Sequence, residues 1–346
     1  MRKHLFRISI TLVILVISAP FLFIGLLQVT DYRPRKIEQL TKDQIFDTLP
    51  LGSPFTLVTW NIGYAGLGDN MDFFYDGGTE VRTTSFRTHQ NLDSIQKWLN
   101  AQNAHFVVLQ EVDICSKRSY YIDQFHRIKN KLEDLKYGVF AYNYKVRYIP
   151  FPLNQPLGRV ESGLALYSKL QPTESKRHAY TAQYAWPKYL WMLDRAFLES
   201  SFHLWNDKKL HVINTHNTAF DDGEIRSSET KQLAEYVIKL YQEGNYVIIA
   251  GDWNQTPYDT SSYQTEFFNA LPLKKEFFPS DWNIAWDSQN PTNRSLHTKK
   301  REEWVLHTID FVIASPNVKI ESVETINLHF THSDHNPVRI IFSLSK

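Results

Sequence analysis

Thr331-His332-Ser333-Asp334-His335-Asn336-Pro337, near the end of the chain, is poor core material set directly against core material. It follows the strand-like run Val318 to Leu328. Two earlier clusters repeat the arrangement: Gly251-Asp252-Trp253-Asn254 follows Val247-Ile248-Ile249-Ala250, and Gln110-Glu111 follows Phe106-Val107-Val108-Leu109. Burying carboxylates, carboxamides and imidazoles is costly unless they are paired or hold a metal. Asp, Asn, Glu and water are the oxygen ligands that Mg²⁺ prefers. A metal with a His-Asp pair beside it is equipment for hydrolysing a phosphate ester.

Six segments carry this chemistry in one order: Thr59-Trp60-Asn61-Ile62, Leu109-Gln110-Glu111-Val112, Asn214-Thr215-His216, Gly251-Asp252-Trp253-Asn254, Ile309-Asp310-Phe311 and Ser333-Asp334-His335. Each lies in or just after a strand candidate. Together they resemble the motifs of the endonuclease/exonuclease/phosphatase superfamily. Its members include pancreatic-type deoxyribonucleases, abasic-site endonucleases, neutral sphingomyelinases and inositol-polyphosphate phosphatases. The resemblance covers residues 55–342. Gly63-Tyr64-Ala65-Gly66-Leu67-Gly68 and the segment Met71 to Gly78 resemble a bacterial branch rather than any of these named enzymes.

The chain has 346 residues, enough for one large domain or two small ones. Its first thirty residues stand apart. Arg2, Lys3 and Arg7 precede an uncharged run, Ile8 to Thr30, of 23 residues with fifteen Leu, Ile, Val and Phe among them. As a helix that run is roughly 34 Å long, enough to span a bilayer. The basic flank predicts a cytoplasmic N-terminus and an extracytoplasmic domain. A cleaved signal peptide is the competing reading and would make the protein secreted. Of 38 basic and 37 acidic residues, only those three basic ones lie in the first thirty, leaving 35 against 37, formally −2. A strongly basic footprint for nucleic acid is absent. Cys115 is the only cysteine, so no intramolecular disulfide forms.

Residues 31–54 are polar, with Pro34, Pro50 and Pro54, and read as a linker. Beyond them strands and helices alternate. Strands are predicted at Phe55 to Trp60, Phe106, Tyr137 to Tyr142, Gly163 to Tyr167, Ala196 to Trp205, Leu210 to Asn214, Tyr246 to Ala250, Ile309 to Ala314, Val318 to Leu328 and Val338 to Leu344. Helical faces are predicted from Leu92, Ile95, Trp98 and Leu99, from Phe125, Ile128, Leu132 and Leu135, and from Leu233, Val237, Leu240 and Tyr241. Many short strands with few helices between them suggest stacked sheets with helices outside. The resemblance sharpens this to a four-layer α/β sandwich, two mixed β-sheets flanked by helices, preceded by one N-terminal transmembrane helix. The organisation is then a membrane anchor or signal peptide (1–30), a linker (31–54) and an endonuclease/exonuclease/phosphatase domain (55–346).

The resemblance also implies roles. Glu111 would hold one Mg²⁺ or Mn²⁺, with Asn61 and Asp334 supporting the metal or its water. Asp252 would polarise the attacking water, and Asn254, two residues on and pointing to the same side of an extended segment, would donate to a phosphate oxygen. Asp310 would orient His335 and favour its imidazolium, and His216 would add a second donor to developing charge. Independently of the resemblance, Arg118, Ser119 and Tyr120 follow the Glu111 strand, and Arg118 and Tyr120 are read as phosphate contacts, with a solvated loop the alternative. Aromatics concentrate in Tyr142 to Phe151 and Tyr180 to Trp191, interleaved with Lys145, Arg147 and Lys188. Packing of long connections is the plainer reading of these, a lipid-facing or headgroup-binding rim the sharper one.

The expected activity is that of a membrane-anchored, divalent-metal-dependent phosphoesterase acting on a phospholipid or small phosphodiester, with the membrane as a partner through residues 8–30 and no protein partner inferred. A nuclease acting on DNA or RNA is the alternative, and a catalytically silent binding module on the same fold the second.

Overall fold

The alternation of apolar runs resolves into two facing sheets in the computed structural model, which describes residues 2–42, 48–258, 263–264 and 269–345. An N-terminal helix, α1 (Arg2–Thr30), is followed by β1 (Ile37–Lys42) and β2 (Thr48–Leu49). Then come β3 (Phe55–Asn61), α2 (Ser85–Ala101), β4 (Phe106–Asp113), α3 (Gln124–Lys129), β5 (Tyr137–Ile149) and β6 (Gly158–Ser168). The second half holds β7 (Glu174–Ala179), β8 (Ala196–Leu204), β9 (Lys209–His216), α4 (Glu224–Gln242) and β10 (Tyr246–Asp252). It closes with β11 (Asn283–Ala285), β12 (Asp310–Ala314), β13 (Val318–Thr325) and β14 (Val338–Leu344). One sheet runs β1-β7-β8-β9-β10-β12-β11 with β2 beside β8; the other runs β13-β14-β3-β4-β6-β5. Both are mixed: β9–β10, β2–β8 and β3–β4 are parallel, the other neighbours antiparallel.

Buried strands explain the layering. Along β4, Phe106 and Val108 face the other sheet and meet Phe202, Val212 and Ile248, while Val107 and Leu109 face α2 and α3. A strand covered on both faces reads as a continuous apolar run, and β4 and β10 do. Leu92, Ile95 and Leu99 of α2 close one outer face; Leu233, Ala234 and Val237 of α4 close the other against Ile213, Val247 and Ile249. Each such Leu, Ile or Val side chain contributes about 1.5–3 kcal/mol by leaving water. The result is helix, sheet, sheet, helix, as expected.

Two expectations change. Residues 31–54 are not a free linker: β1 pairs antiparallel with β7, Ile37 opposite His178, and β2 pairs with β8. Ile-Glu-Gln-Leu-Thr-Lys looks like a tether because β1 is an edge strand with much of its surface in solvent. The helix drawn through Leu135 ends at Lys129; Leu132 and Leu135 reach the same core from a turn beyond it.

Candidate active site

Each sheet contains one parallel pair joined by a helix, β3-α2-β4 and β9-α4-β10. The C-terminal ends of both pairs meet at one edge of the sandwich, where the carboxamide of Asn61 donates across the gap to Asp252 Oδ2 at 3.0 Å. Strand register does the gathering. Asp252 lies opposite His216 on β9 and opposite Asp310 on β12. Glu111 sits in a bulge of β4, where pairing with β6 slips between Leu109 and Val112, and it adopts a positive φ of 54°. A bulge re-aims a side chain that regular alternation would bury. Cross-sheet bonds from Gln110 to Asn214 (2.7 Å) and from Asn214 to the Leu109 carbonyl (2.9 Å) lie just beneath.

The turn before β14 supplies the rest. Ser333 donates to the Asn61 carbonyl at 2.7 Å, and Trp60 Nε1 donates to the His335 carbonyl at 2.8 Å. His335 Nδ1 lies 2.7 Å from Asp310 Oδ2, and its Nε2 lies 3.7 Å from Asp252 Oδ2. Burial alone would lower the pKa of His335, but Asp310, Asp252 and Asp334 hold it well above the usual imidazole range. His216 Nε2 is 3.5 Å from Asp252 Oδ2; burial, with Arg195 and His335 adding to it, keeps this ring neutral. Burial also raises Asp252, against the opposing charge of His335.

Glu111, Asp334 and partly buried Asp76 face the same cleft. Burial, with the charges of Asp334 and Glu111 adding to it, pushes Asp76 up to about 8; burial, opposed by His335 and aided by Glu111, pushes Asp334 up to about 6. This oxygen-only set carries more negative charge than Arg294 nearby offsets, which is the donor chemistry a hard divalent cation fits. Among the described residues, Asp252, Asp310 and His335 also bring ligand atoms within 4.8 Å of one another. His335 links the other two, hydrogen-bonded to Asp310 at 2.7 Å and ion-paired with Asp252 at 3.7 Å.

Asp252, Asn254, His216, His335, Glu111, Asp334 and Arg118 all line the cleft. Asn61 and Asp310 stand directly behind, bonded to Glu111 and Asp252 and to His335 respectively. The Asn61 oxygen accepts from the Gly63 N–H (3.0 Å) and its nitrogen bridges the two carboxylates, so it positions them. The segment after Asp252 is a turn rather than extended, with Asn254 at φ 50° and its N–H bonded to Asp252 Oδ1. Arg118 forms a two-pronged pair with Asp113 (3.1 and 2.9 Å) and stacks over Tyr64, 3.8 Å from the ring centroid. Tyr120 does not line the cleft; its hydroxyl donates to the Thr83 carbonyl at 2.6 Å.

Sequence reasoning missed Tyr64, Asp76, Arg195, Arg294 and His307, which also line the cleft. Tyr64 and Asp76 lie in the Gly- and aromatic-rich segment after the first motif, and His307 lies three residues before Asp310; proximity to a motif was the available signal. Arg294 had none: it is drawn in by the Leu67, Gly68 and Met71 carbonyls that it caps.

No curated protein matches the sequence. Solved structures share the fold. One is an endonuclease/exonuclease/phosphatase from Beutenbergia cavernae, with TM-score 0.58 and 17% identity over 84% of this chain and 72% of that one. Another is the human Nocturnin catalytic domain with bound sulfate, with TM-score 0.55 and 18% identity over 87% and 97%. A third is D. rerio TDP2 complexed with single-strand DNA product, with TM-score 0.52 and 14% identity over 84% and 99%. The model of the Endonuclease/Exonuclease/phosphatase family matches residues 58–335, most of the chain and all six motifs. The chain therefore belongs to the endonuclease/exonuclease/phosphatase family, whose members are phosphoesterases and nucleases.

Proposed function

We propose that the protein is a divalent-metal-dependent phosphodiesterase anchored in a membrane by α1, its domain on the extracytoplasmic side. The observation that carries the chemistry is the meeting of a His-carboxylate chain, Asp310–His335–Asp252, with an unneutralised oxygen cluster in one cleft. Glu111 and Asp334 would hold Mg²⁺ or Mn²⁺, with Asn61 keeping Glu111 in place. When bound, the ion supplies positive charge against the phosphoryl and leaving oxygens. Asp252 takes the proton of the attacking water, a task suited to a carboxylate raised by burial. His335, held as imidazolium by Asp310, donates from Nε2 to a non-bridging oxygen. Neutral His216 donates a second hydrogen bond, and Asn254 lines the same wall.

The full-length protein in detergent micelles, assayed on bis(4-nitrophenyl) phosphate, tests this. EDTA should abolish hydrolysis and Mg²⁺ or Mn²⁺ restore it, and Glu111→Gln should raise the metal concentration required while lowering the rate. Full activity in chelated buffer ends the reading. Action on nucleic acid is the second reading, favoured by the fold shared with the DNA-bound TDP2 structure and opposed by the formal charge of −2 over residues 31–346.

A further inference from the structure

We infer that the cleft opens at the bilayer surface and takes an amphiphilic phosphoester, a lipid whose phosphate reaches the carboxylate–histidine cluster while its apolar part lies along the cleft's aromatic wall. This rests on the phosphoesterase reading above and adds its substrate class.

The first support is how α1 meets the domain. Its last turn is docked on it. Leu27 is buried, and Gln28 Oε1 accepts from Trp186 Nε1 at 3.2 Å and from the Tyr189 hydroxyl at 3.0 Å. The six residues 31–36 that lead into β1 are short and pinned: Tyr32 packs edge-on against Tyr142 at 5.8 Å and donates to Glu38. The domain is therefore held against the end of the helix.

Depth follows from contact. Tyr148, near the tip of the β5–β6 hairpin, meets Phe23 edge-on at 6.2 Å. Phe23 precedes Thr30 by seven residues, so the contact lies about 10 Å back along the helix axis. An apolar run roughly 34 Å long has little more length than the ~30 Å hydrocarbon core it must cross. The hairpin tip then reaches the boundary between headgroups and acyl chains or roughly 6 Å or more below it, since at most about 4 Å of overhang is set against that distance of about 10 Å. What is exposed there suits that level: Phe151 is 43% exposed, Leu153 82% and Trp186 63%. Cations sit among these rings, with Lys145 4.2 Å from the Tyr142 ring centroid and Lys188 3.9 Å from that of Tyr184. Arg33, Arg35 and Lys36 are exposed just past the helix. Aromatic residues with interleaved Lys and Arg make up the surface that anionic headgroups attract. The geometry is the same on either face of a bilayer.

The same two segments then turn inward and become the cleft. Tyr144 and Leu157 of the hairpin, with Met192 and Leu193 beyond Trp191, line one wall. They are tied to the rim by the Tyr144 hydroxyl on the Trp191 carbonyl (2.8 Å) and by Phe151 against Trp191. Phe73, Tyr75 and Phe220 line the cleft as well, Phe220 held through its carbonyl by the Tyr184 hydroxyl at 2.7 Å. An apolar passage from headgroup level to a phosphate-chemistry cluster fits an acyl or prenyl chain; a nucleic acid strand would bring its phosphates against it.

The test uses the full-length protein, with Cys115→Ala, in phosphatidylcholine/phosphatidylglycerol vesicles. A nitroxide on Leu153→Cys reports depth by collision with oxygen and with a water-soluble nickel chelate. The expected result is protection from nickel at the headgroup–acyl boundary or below it. In parallel, a diacylglyceryl 4-nitrophenyl phosphodiester in the vesicle is compared with bis(4-nitrophenyl) phosphate and a single-stranded oligonucleotide in solution. Leu153→Asp should lower turnover of the vesicle-borne ester about tenfold and leave the soluble ester within about twofold. A nickel-accessible Leu153 position, or faster cleavage of the oligonucleotide than of the lipid ester, overturns the inference while the phosphoesterase reading stands. Hydrolysis of no substrate with the nitroxide at depth strikes that reading and the substrate class together, and supports the membrane seat alone.

Discussion

His335 has a carboxylate at each ring nitrogen, Asp310 at 2.7 Å and Asp252 at 3.7 Å. Its charge is therefore a property of the trio. His335→Ala should lower kcat by about 10²–10⁴ with the fold intact. Asp310→Asn keeps a hydrogen-bonding group but removes the charge that favours imidazolium. The double variant should cost little more than His335→Ala alone, since residues acting as a unit are not additive; losses that multiply in the three measured rates refute the pairing. Tyr64 offers a second test. Its hydroxyl is buried in the cleft wall with no hydrogen-bond partner among the described residues. Tyr64→Phe should lower kcat/KM about tenfold if that hydroxyl meets the substrate's phosphate, with thermal stability unchanged. The motif residues were legible because acid, amide and imidazole side chains directly after apolar strands have few structural uses. Tyr120 misled because a sequence neighbour of a site residue need not share its direction: Tyr120 adopts a left-handed φ of 59° and turns to Thr83.

The site's precision depends on β9 and β10 keeping register. Gly251 has φ 154°, and a Cβ there would lie 2.1 Å from the Thr215 carbonyl oxygen. Gly251→Ala should cost at least about 3 kcal/mol in a denaturant titration and slow catalysis through displacement of Asp252. A second buried device holds α4 to its sheet. Glu199 on β8 contacts His178 and His211 at 2.6 Å each and accepts from the Tyr236 hydroxyl at 2.8 Å. Burial would raise its pKa, but the hydrogen bonds from the two histidines hold it below the usual carboxylate range. The stabilisation is thus full above the unfolded value of about 4.3 and is lost as pH falls below it. Glu199→Gln should cost about 3 kcal/mol at pH 7, a gap that narrows progressively as pH falls below about 4. Of the elements, buried strands and amphipathic helices were readable from periodicity. The β4 bulge and the β1 edge were not: a bulge leaves no compositional mark, and a solvated edge strand reads like a loop.

At the scale of the molecule, α1 is the one helix among the described residues long and apolar enough to cross a membrane, over Phe6–Thr30. An intact-size protein should remain with the membrane pellet after a high-salt wash, its domain open to protease from the outer side. A soluble form beginning near residue 30 would mark a cleaved signal instead. The four layers were foreseeable only through the resemblance, because strand count and spacing do not choose a topology. The aromatics of Tyr142 to Phe151 and Tyr180 to Trp191 stood out in the sequence, but their meeting with Phe73 and Phe220 in one cleft did not, since those segments lie far apart in the chain. The pairing of β1 with β7 also bears on biosynthesis. Ile37 leaves the ribosome long before its partner His178, so β1 must wait for the seventh strand to emerge before it can dock. Glu38, Gln39 and Lys42 keep it soluble during that wait. A chain begun at Phe55 would never receive it: β7 would become a bare edge, and such a protein should self-associate in sedimentation where one begun at Asp31 stays monomeric.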